Sequence, residues 1–495
     1  AVSTQAIFKI LTFEFASRCI RLAMVAQQRR RRALTPVGRS WLRGLYEPEM
    51  KMPEPIVTVV FYFDKLPDKL TWVGEFEQHL WPLYRFGSVV VDDAFVPVDG
   101  PMDCSYHFVD QEVENEAGVD HFVQSAMAIP LQRDRPLWRV FFLQAKNGRS
   151  AVIFRMHHCI TDGIGALFAI LPMLKCNEGD VLSKIRLPAS FKGKEASARV
   201  SASNEHAAAT KLQRTPSRSW LSSMCASVVM FFRGVFSVLA MKDDSELKFG
   251  APKKDRKPFL RYSGRHVFAR MPPVPAEAIK AVRTAHGCTF NDAVMAALAG
   301  AFRKYGITDL KDPALAEGRS VECKAFMLIG LPRPVNPKDA SVSLANNIVT
   351  PPFRLPVDES QPRNRLRAIV AACNDLKSKS YILGIKLTTK LITSMVPVSV
   401  MRKIASEAIS KCTCNVSNMP LLDMPVTIAG EEIKEVQVVF VNNIPQITLI
   451  SYGDHLCWNM ICDPDFIPDP AAFGKYFVEE LGNLASVTDS SVARG

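Results

Sequence analysis

The sequence lacks the spacings by which cysteines bind zinc or build a disulfide framework. Its twelve cysteines are scattered from Cys19 to Cys462 without regular pairs. Cys412 and Cys414 are separated by one residue, whereas zinc sites use a two-residue gap and add histidines. No zinc-finger spacing, aromatic-rich RNA-binding signature or basic heptad region is present either. These absences predict reduced thiols in a cytosol-facing protein, with no bound metal and no nucleic-acid partner.

The sequence also lacks a nucleophile elbow and an uncharged membrane span near its start. Without a Gly-x-Ser-x-Gly segment, a serine hydrolase is disfavoured. The apolar residues 6–26 are interrupted by four charged residues and lead into an arginine run at 29–32, which makes a poor span. We interpret residues 1–33 as an amphipathic, basic extension lying on a membrane, with a docked surface helix and a targeting peptide as alternatives.

A second apolar run, from Trp220 to Met241, does have the length of a membrane-spanning helix. It carries a single charge, Arg233, close to its centre, where a charge is costly in a bilayer. The pattern favours an interfacial helix that dips into one leaflet over a buried or crossover helix, and over a true span.

The chain has 495 residues, of which 48% are hydrophobic and 22% charged. Such a length and composition indicate globular structure with more than one core, so we expect two domains. The formal net charge of +12 favours anionic partners. Since no nucleic-acid module is present, a membrane surface or coenzyme A fits that charge better.

Strands and helices alternate on both sides of a polar connection rich in Ser, Ala, Lys and Arg. The pattern predicts an α/β first half with strands at 56–63, 137–143 and 151–155 and helices at 70–83 and 163–174. It predicts an α/β second half with helices at 276–285, 289–305 and most of 363–410, a strand at 321–331 and short strands within 426–461. The predicted segments are a 1–33 extension, a 34–187 lobe, a 188–257 linker with the apolar helix 220–241, and a 258–495 lobe.

The densest chemical signal is the segment His157-His158-Cys159-Ile160-Thr161-Asp162-Gly163. It lies where a buried strand gives way to a helix, which is where α/β folds keep their active sites. Consecutive strand residues point to opposite faces, so only one histidine can face a given channel. An imidazole is suited to taking a proton from an alcohol near neutral pH.

Two other interpretations of the histidine pair remain open. A buried histidine can be an ordinary core residue, and two histidines with a nearby aspartate can bind a metal ion. The metal site is disfavoured because the side chains of adjacent strand residues diverge. Asp162 is interpreted as architectural, holding the loop through an arginine or through backbone N–H groups.

At these residues the sequence resembles the His-His-x-x-x-Asp-Gly acyltransferases, and among them the wax ester synthase/diacylglycerol acyltransferase family. The resemblance extends from about Leu34 to Leu484 and includes several further segments in order. These are Pro136-Leu137-Trp138, Thr289-Phe290-Asn291-Asp292, Pro332-Arg333-Pro334-Val335, Leu344-Ala345-Asn346-Asn347, Val416-Ser417-Asn418-Met419-Pro420, and Ile450-Ser451-Tyr452-Gly453 with Asp463-Pro464. The chain departs from the family at Leu421-Leu422, where Gly-Pro is usual, and at Ala345, where Gly is common.

The resemblance implies a two-lobed α/β fold similar to chloramphenicol acetyltransferase, with an active-site tunnel between the lobes. Acyl-CoA would enter at one mouth as a substrate, no cofactor being needed, and a long-chain alcohol or diacylglycerol at the other. His158 would be the general base, within a site formed by His157, His158, Asp162 and Gly163. This implies an acyl-CoA-dependent O-acyltransferase.

The remaining motif residues divide into one catalytic candidate and several structural ones. Asn291, at a helix start, is the candidate donor to the oxyanion, although Asn291 and Asp292 also suit ordinary helix capping. Pro136, Leu137 and Trp138 are interpreted as structural, with the Trp packing behind the strand or along an acyl tunnel.

Two alternatives to lipid esterification stay open. Condensation domains of peptide synthetases share the His-His motif and transfer carrier-bound acyl groups to amines. A lipid-droplet coat protein could retain the fold without activity. We expect the protein to associate with a membrane or lipid-droplet surface, facing the cytosol, at the endoplasmic reticulum, plasma membrane or lipid droplet.

Overall fold

The computed structural model describes residues 31–176, 181, 220–250, 263–332 and 344–486. Three predicted parts lie outside the described residues: 1–30 of the extension, the linker residues 188–219 and 251–257, and the motif residues 333–335. Within the extension, Arg32–Ala33 forms a two-residue strand that pairs with Ala94–Pro97. The extension therefore ends by joining a small three-stranded sheet.

Eighteen strands occur in the described residues. They are β1 Arg32–Ala33, β2 Ile56–Phe63, β3 Ser88–Val91, β4 Ala94–Pro97, β5 Phe108–Val113, β6 Trp138–Ala145, β7 Ser150–His157, β8 Leu174–Lys175, β9 Val267–Pro275, β10 Lys324–Gly330, β11 Ile348–Val349, β12 Pro352–Arg354, β13 Cys414–Leu422, β14 Thr427–Ile428, β15 Glu431–Glu432, β16 Glu435–Phe440, β17 Gln446–Tyr452 and β18 His455–Cys462.

Twelve α-helices accompany these strands in the same parts of the chain. They are α1 Pro36–Arg43, α2 Lys69–His79, α3 Cys104–His107, α4 Glu116–Met127, α5 Gly163–Ile170, α6 Trp220–Leu239, α7 Ala276–His286, α8 Phe290–Thr308, α9 Pro362–Leu376, α10 Lys379–Met395, α11 Val398–Ser410 and α12 Pro470–Ser486.

The first lobe is built on a five-stranded sheet with the order β16-β2-β7-β6-β5. Strands β2 and β7 are buried along their whole length, as expected of apolar β-branched and aromatic runs at the centre of a sheet. They pair antiparallel over eight positions, which places His157 opposite Ile56. The end of β7, where the histidine motif begins, is thereby held in the middle of the sheet.

The second lobe is built on a seven-stranded sheet with the order β11-β10-β13-β17-β18-β9, and β12 also pairs with β10. Strand β13 runs parallel to both of its neighbours, β10 and β17, while β17 and β18 form an antiparallel pair. Helix α8 packs on this sheet as part of a second hydrophobic core that also includes Trp458 and Phe477.

Strand β16 connects the two lobes in a way that the sequence analysis did not anticipate. It lies within residues 258–495, yet it pairs with β2 in the sheet of the first lobe. Its first residue, Glu435, is 2% exposed and accepts hydrogen bonds within a charged cluster that includes Arg270 of β9. The lobes therefore share a sheet strand and a buried ionic contact.

Helix boundaries differ from the predictions where proline intervenes. The predicted helix 163–174 ends at Ile170 and continues as a 3-10 turn, Leu171–Met173. Pro172 has no N–H to donate to the preceding turn, so the α-helix cannot continue through it. The predicted helical region 363–410 consists of three helices, and the break after Met395 precedes Pro397.

Helix α6 occupies most of the apolar run at 220–241. Across the described helices, including α6, none combines the length and the apolarity that crossing a membrane requires. Helix α6 lies beside α10. Met230 and Val238 of α6 belong to a small hydrophobic cluster with Tyr381 and Ile385 of α10.

Candidate active site

His158 lies in the turn that follows β7, and 6% of its surface is exposed. Its backbone N–H donates to the carbonyl oxygen of Pro55 at 2.8 Å, which fixes the turn to the segment preceding β2. The turn directs the imidazole toward the second lobe, away from the core of the first. The side chain therefore lies at the junction of the lobes.

Asn346 forms two hydrogen bonds with His158, one with its backbone and one with its imidazole. The Asn346 amide Nδ2 donates to the backbone carbonyl of His158 at 2.8 Å, so its Oδ1 faces the ring. Oδ1 lies 3.0 Å from Nδ1 of His158 and accepts a hydrogen bond from it. Because Nδ1 carries the proton in this arrangement, Nε2 is the basic nitrogen.

Two aromatic rings enclose the imidazole. Trp41 stacks on it with a centroid distance of 4.8 Å and an interplanar angle of 19°, and Phe440 meets it edge-on at 5.4 Å. Burial lowers the pKa of His158 below its ordinary value, opposed by the nearby Asp162 charge and by the hydrogen bond to Asn346. The imidazole is therefore neutral near pH 7, as a general base must be.

Asp162 organises the loop around His158. Its Oδ1 accepts from the Gly165 N–H at 2.9 Å and so caps helix α5 at its N-terminus. Its Oδ2 accepts from the Asn347 N–H at 2.8 Å, which fixes the neighbour of Asn346. Both contacts are with backbone N–H groups, which is one of the two kinds of interaction that the sequence suggested for Asp162. The carboxylate thereby links the motif to the segment that contains Asn346, which contacts the imidazole of His158.

His157, by contrast, is fully buried at the end of β7. Its Nδ1 accepts a hydrogen bond from the backbone N–H of Cys159 at 3.1 Å. Its backbone N–H donates to the carbonyl oxygen of Leu137. Burial lowers the pKa of His157 to about 3. This histidine stabilises the turn from inside the core, while His158 faces the cavities.

Two cavities meet at His158. The large cavity, of about 590 Å³, is lined by His158, Asp162, Gly163 and residues from helices α7, α8 and α9 and strands β10 and β13. The small cavity, of about 140 Å³, is lined by His158, Trp41, Tyr46 and residues from strands β10, β16 and β17 and helix α11. Since His158 forms part of both walls, reactants approaching from two sides would meet at the same imidazole.

A narrow apolar slot opens from the large cavity into the first lobe. It holds about 50 Å³ and shares Gly163, Ile164 and Met419 with the large cavity. A Cβ on Gly163 would lie 2.6 Å from Met419 Sδ, so only glycine fits here without displacing Met419. The departure from the family pattern at Leu421-Leu422 also lies in this wall, since both residues line the slot.

Asn291 and Asp292 occupy the first turn of α8. Asp292 is 1% exposed and forms a capping box with Thr289, whose side-chain oxygen accepts from the Asp292 N–H. Asn291 is exposed, and its Oδ1 accepts from Asn418 Nδ2 at 2.5 Å. Both residues line the large cavity that contains His158. The structure thus brings the predicted oxyanion donor to the same cavity as the predicted base.

The residues Pro136, Leu137 and Trp138 lie in the core beneath this site. Trp138 is fully buried, stacks on His107 with a centroid distance of 3.9 Å and donates from its indole N–H to the Phe86 carbonyl at 2.8 Å. Leu137 accepts the hydrogen bond from the His157 N–H. The motif therefore supports β7 and stays outside the cavities.

Sequence reasoning missed the two side chains that contact the imidazole most directly. Asn346 was noted only as part of a motif, and Trp41 was not singled out. The available signal was a Trp between the arginine run and β2, but nothing local connects it with a histidine more than a hundred positions later. Among the described residues, no group of three or more His, Cys, Asp or Glu side chains could hold a metal ion.

This two-lobed fold occurs in solved acyltransferases and condensation domains. The chain is similar to the wax ester synthase/diacylglycerol acyltransferase from Marinobacter aquaeolei VT8, with a TM-score of 0.59, 18% identity, and coverage of 92% of this chain and 98% of that one. It is similar to the first condensation domain of the calcium-dependent antibiotic synthetase, with a TM-score of 0.57, 13% identity, and coverage of 94% and 98%. The fold is the two-lobed architecture of the chloramphenicol acetyltransferase type.

Within that class the sequence identifies the family. Residues 92–294 match the wax ester synthase/diacylglycerol acyltransferase catalytic domain, and residues 344–485 match the WS/DGAT C-terminal domain. The chain belongs to the wax ester synthase/diacylglycerol acyltransferase family and is an acyltransferase.

Curated relatives come from bacteria and plants. The chain is 20% identical over 444 residues to a probable diacylglycerol O-acyltransferase of Mycobacterium tuberculosis (strain CDC 1551 / Oshkosh), covering 85% of this chain and 89% of that protein. It is 22% identical over 437 residues to wax ester synthase/diacylglycerol acyltransferase 4 of Arabidopsis thaliana, covering 81% and 78%. The similarity therefore spans both lobes.

Proposed function

We propose that the protein transfers a long-chain acyl group from acyl-CoA to the hydroxyl of a long-chain alcohol, and also to that of diacylglycerol, with His158 as the general base. The observation that carries this proposal is the position of the imidazole. It lies in the walls of two cavities, and Asn346 occupies Nδ1 so that Nε2 is free to act as the base.

The reaction follows from this geometry. Nε2 of His158 removes the hydroxyl proton as the alcohol oxygen attacks the thioester carbonyl. The tetrahedral oxyanion collapses, the carbon–sulfur bond breaks, and the imidazolium returns the proton to the departing thiolate. Neither an acyl-enzyme nor a cofactor is required. Burial among aromatic rings keeps the imidazole uncharged between turnovers.

The large cavity suits the acyl-CoA. Arg283 and Lys377 line it and are exposed, so they place two cations where the anionic phosphates of coenzyme A would enter. The apolar slot beside Gly163 would receive the start of the acyl chain. The small cavity, on the other side of His158, would receive the alcohol.

Asn291 is our proposed donor to the oxyanion. Its Oδ1 is engaged by Asn418, which leaves Nδ2 of Asn291 to donate into the large cavity. A donor that faces developing charge in a water-poor cavity contributes about 3 to 4 kcal/mol to the transition state. Asp292 is instead assigned to helix capping, because it makes both hydrogen bonds of the capping box with Thr289.

We further propose that the protein works at a membrane or lipid-droplet surface facing the cytosol. Long-chain alcohols and diacylglycerols reside in lipid phases, so an enzyme that uses them gains from lying on such a phase.

The proposal is tested by measuring thiol release and ester formation from palmitoyl-CoA, with hexadecanol or diacylglycerol as the acceptor. The wild type is expected to form ester with at least one acceptor. His158→Ala is expected to lose at least about a hundredfold in rate, the low end of what a positioned base supplies. His121→Ala, which removes an exposed histidine on α4, is the matched control and should leave the rate unchanged.

Three results would contradict the proposal. Ester formation that survives in His158→Ala would exclude this histidine as the base. Absence of ester with both alcohols, together with amide formation from an amine acceptor, would favour the condensation reaction. Absence of reaction with any acceptor would favour the other alternative, a lipid-droplet coat protein that retains the fold without activity.

A further inference from the structure

Helices α6 and α10 lie against each other with their backbones in close contact. A Cβ on Gly234 of α6 would collide with the Tyr381 carbonyl oxygen, and a Cβ on Gly384 of α10 would collide with the Phe231 carbonyl oxygen. Since neither glycine has a side chain, the helices approach more closely than larger residues would allow. The two helices therefore form one unit, called here the helix pair.

The outer side of the helix pair exposes large apolar side chains. On α6, Val229, Phe232 and Phe236 are 58%, 52% and 58% exposed. On α10, Leu391 and Met395 are 56% and 76% exposed. Residues three and four apart on a helix lie on one side, so each helix presents a continuous apolar stripe. Contiguous apolar surface of this kind marks a site of interaction with a protein or a membrane.

The charged residues that α6 and α10 themselves carry have one sign, and Arg233 of α6 is paired with Asp375 of α9. Neither α6 nor α10 contains Asp or Glu. On α10, Lys386 and Lys390 are exposed and alternate with the exposed Leu383, Leu387 and Leu391. Lysine side chains can extend from an apolar surface to the level of lipid phosphates. The combination of leucine and lysine thus matches an anionic membrane surface.

The inner side of the helix pair lies next to the cavities. Tyr381 and Ile385 of α10 belong to a cluster with Val349 and Ile329, and Ile329 also lines the large cavity. After Met395 the chain turns into α11, and Ala405, Ala408 and Ile409 of α11 line the small cavity. The inner side of α10 therefore packs against residues that form part of the cavity wall.

We propose that the outer side of the helix pair seats the protein on the surface of an anionic phospholipid membrane. The apolar stripes enter the interfacial region, and Lys386 and Lys390 contact lipid phosphates. In this position the small cavity, beneath α11, opens close to the lipid phase that holds the apolar alcohol. The docking itself needs only the surface described, whereas the delivery of an alcohol to His158 rests on the proposed function.

The docking is tested by sedimentation of the full chain with phosphatidylcholine vesicles, either alone or mixed with phosphatidylserine. The wild type is expected to bind the mixed vesicles more tightly. Leu387→Asp/Leu391→Asp should weaken binding to both vesicles by about tenfold or more, because it places two charges in the apolar stripe. Leu70→Asp, which alters an 80% exposed leucine on α2, is the matched control and should bind as the wild type does.

The lysines are tested separately. Lys386→Gln/Lys390→Gln is expected to weaken binding to the mixed vesicles by about fivefold for each lysine at low salt, without changing binding to phosphatidylcholine. Lys475→Gln on α12 serves as the matched control. A loss that is equal on both kinds of vesicle would exclude the electrostatic part of the proposal.

A second measurement does not depend on how a variant folds. An environment-sensitive dye on Cys225, an exposed cysteine of α6, should shift its emission to the blue when mixed vesicles are added to the otherwise unaltered chain. Failure of the dye to respond, or equal vesicle binding by Leu387→Asp/Leu391→Asp and wild type, would overturn the docking. A third outcome is that the wild type binds no vesicles but forms a dimer, and that Leu387→Asp/Leu391→Asp is monomeric. This outcome would overturn membrane docking and assign the surface to contact with a second copy of the chain.

The activity assay separates this proposal from the previous one. If both proposals hold, Leu387→Asp/Leu391→Asp keeps the wild-type rate with a short, water-soluble alcohol and loses it with vesicle-borne diacylglycerol. A wild type that binds vesicles but forms no ester would leave the docking intact and refute the reaction. A variant that binds poorly yet esterifies vesicle-borne diacylglycerol at the wild-type rate would refute delivery through this surface.

Discussion

The hydrogen bond between His158 and Asn346 determines which ring nitrogen can act as a base. Nδ1 donates to the amide oxygen, so the lone pair of Nε2 remains available. Trp41 holds the ring plane by stacking, and burial keeps the pKa low. The proton-accepting ability of the site thus depends on neighbours that are distant from the histidine motif in sequence.

At this scale we predict opposite pH shifts for two substitutions of Asn346. The hydrogen bond from His158 to Asn346 raises the pKa of His158, so Asn346→Ala should move the acid limb of the rate–pH profile to lower pH. Asn346→Asp places a carboxylate beside the ring, favours the imidazolium and should move that limb to higher pH. Both variants should lose about a hundredfold in maximal rate, since the ring is less well oriented.

The measurement is kcat/KM from pH 5 to about 9, where the wild-type rate rises through the His158 pKa, lowered from its ordinary value near 6.5. A merely structural role for Asn346 would lower the rate without moving the limb. Limbs that coincide in all three proteins would therefore contradict the assigned role.

Helix α5 connects the motif to the second lobe through its N-terminal cap. Asp162 satisfies an N–H of α5 with one oxygen and the Asn347 N–H with the other. The cap residue of this helix is therefore also the residue that positions Asn346. A local feature of helix formation becomes part of the organisation of the active site.

We predict that Asp162→Ala lowers both the stability and the activity of the protein. Losing the cap costs about 1 to 2 kcal/mol, and the partly buried N–H of Asn347 loses this acceptor. The matched control is Asp68→Ala, because Asp68 caps α2 far from the cavities. For Asp162→Ala, both the free energy of unfolding measured in urea and the rate of ester formation should fall. The control should keep the wild-type rate of ester formation. Equal rates in the two variants would refute the link to Asn346.

The sequence predicted the helices and strands better than it predicted which of them pair or contact each other. The apolar run 56–63 predicted strand β2 with its observed bounds, because a buried strand needs continuous apolar residues. Prolines ended helices where the periodicity alone did not, as at Pro172. The pairing of β16 with β2, and the contact of Asn346 with His158, join residues far apart in the chain. No local pattern encodes such contacts, so the lobe assignment missed β16 and the site lacked Asn346.

At the scale of the whole molecule, a partly buried ionic cluster fixes one lobe to the other. Arg270 of β9 contacts Glu435 of β16 at 3.1 Å and Glu116 and Asp120 of α4 at 2.9 and 3.1 Å. Hydrogen bonds from arginines lower the pKa of Glu116 to about 2. Because the pKa is lowered in the folded state, Glu116 stabilises the protein at pH values above the ordinary carboxyl pKa. This stabilisation is lost as the pH falls toward 2.

We predict that Arg270→Gln destabilises the protein by about 1 to 3 kcal/mol at pH 7, because the carboxylates of the cluster lose one of their cations. Arg149 still pairs with Glu116 and Glu435 and limits the loss. The difference from wild type should shrink as the pH falls below about 4.5, where the carboxylates of the variant take up protons. Urea unfolding at pH 7 and at pH 4 measures both values. Lys280→Gln, in an exposed pair with Glu277, is the control and should change little. If the difference in the free energy of unfolding between Arg270→Gln and the wild type were larger at pH 4 than at pH 7, the stabilising role of the cluster would be refuted.

The position of His158 between two cavities has a consequence for how protons are balanced during turnover. In the proposed reaction the proton that leaves the alcohol departs with the thiol, so each cycle returns the imidazole to its starting state. No chain of water molecules is needed to restore the base. The site can therefore remain dry throughout, which protects the thioester from hydrolysis and permits the burial that keeps the imidazole neutral. We accordingly expect the rate to be insensitive to the concentration of buffer at constant pH.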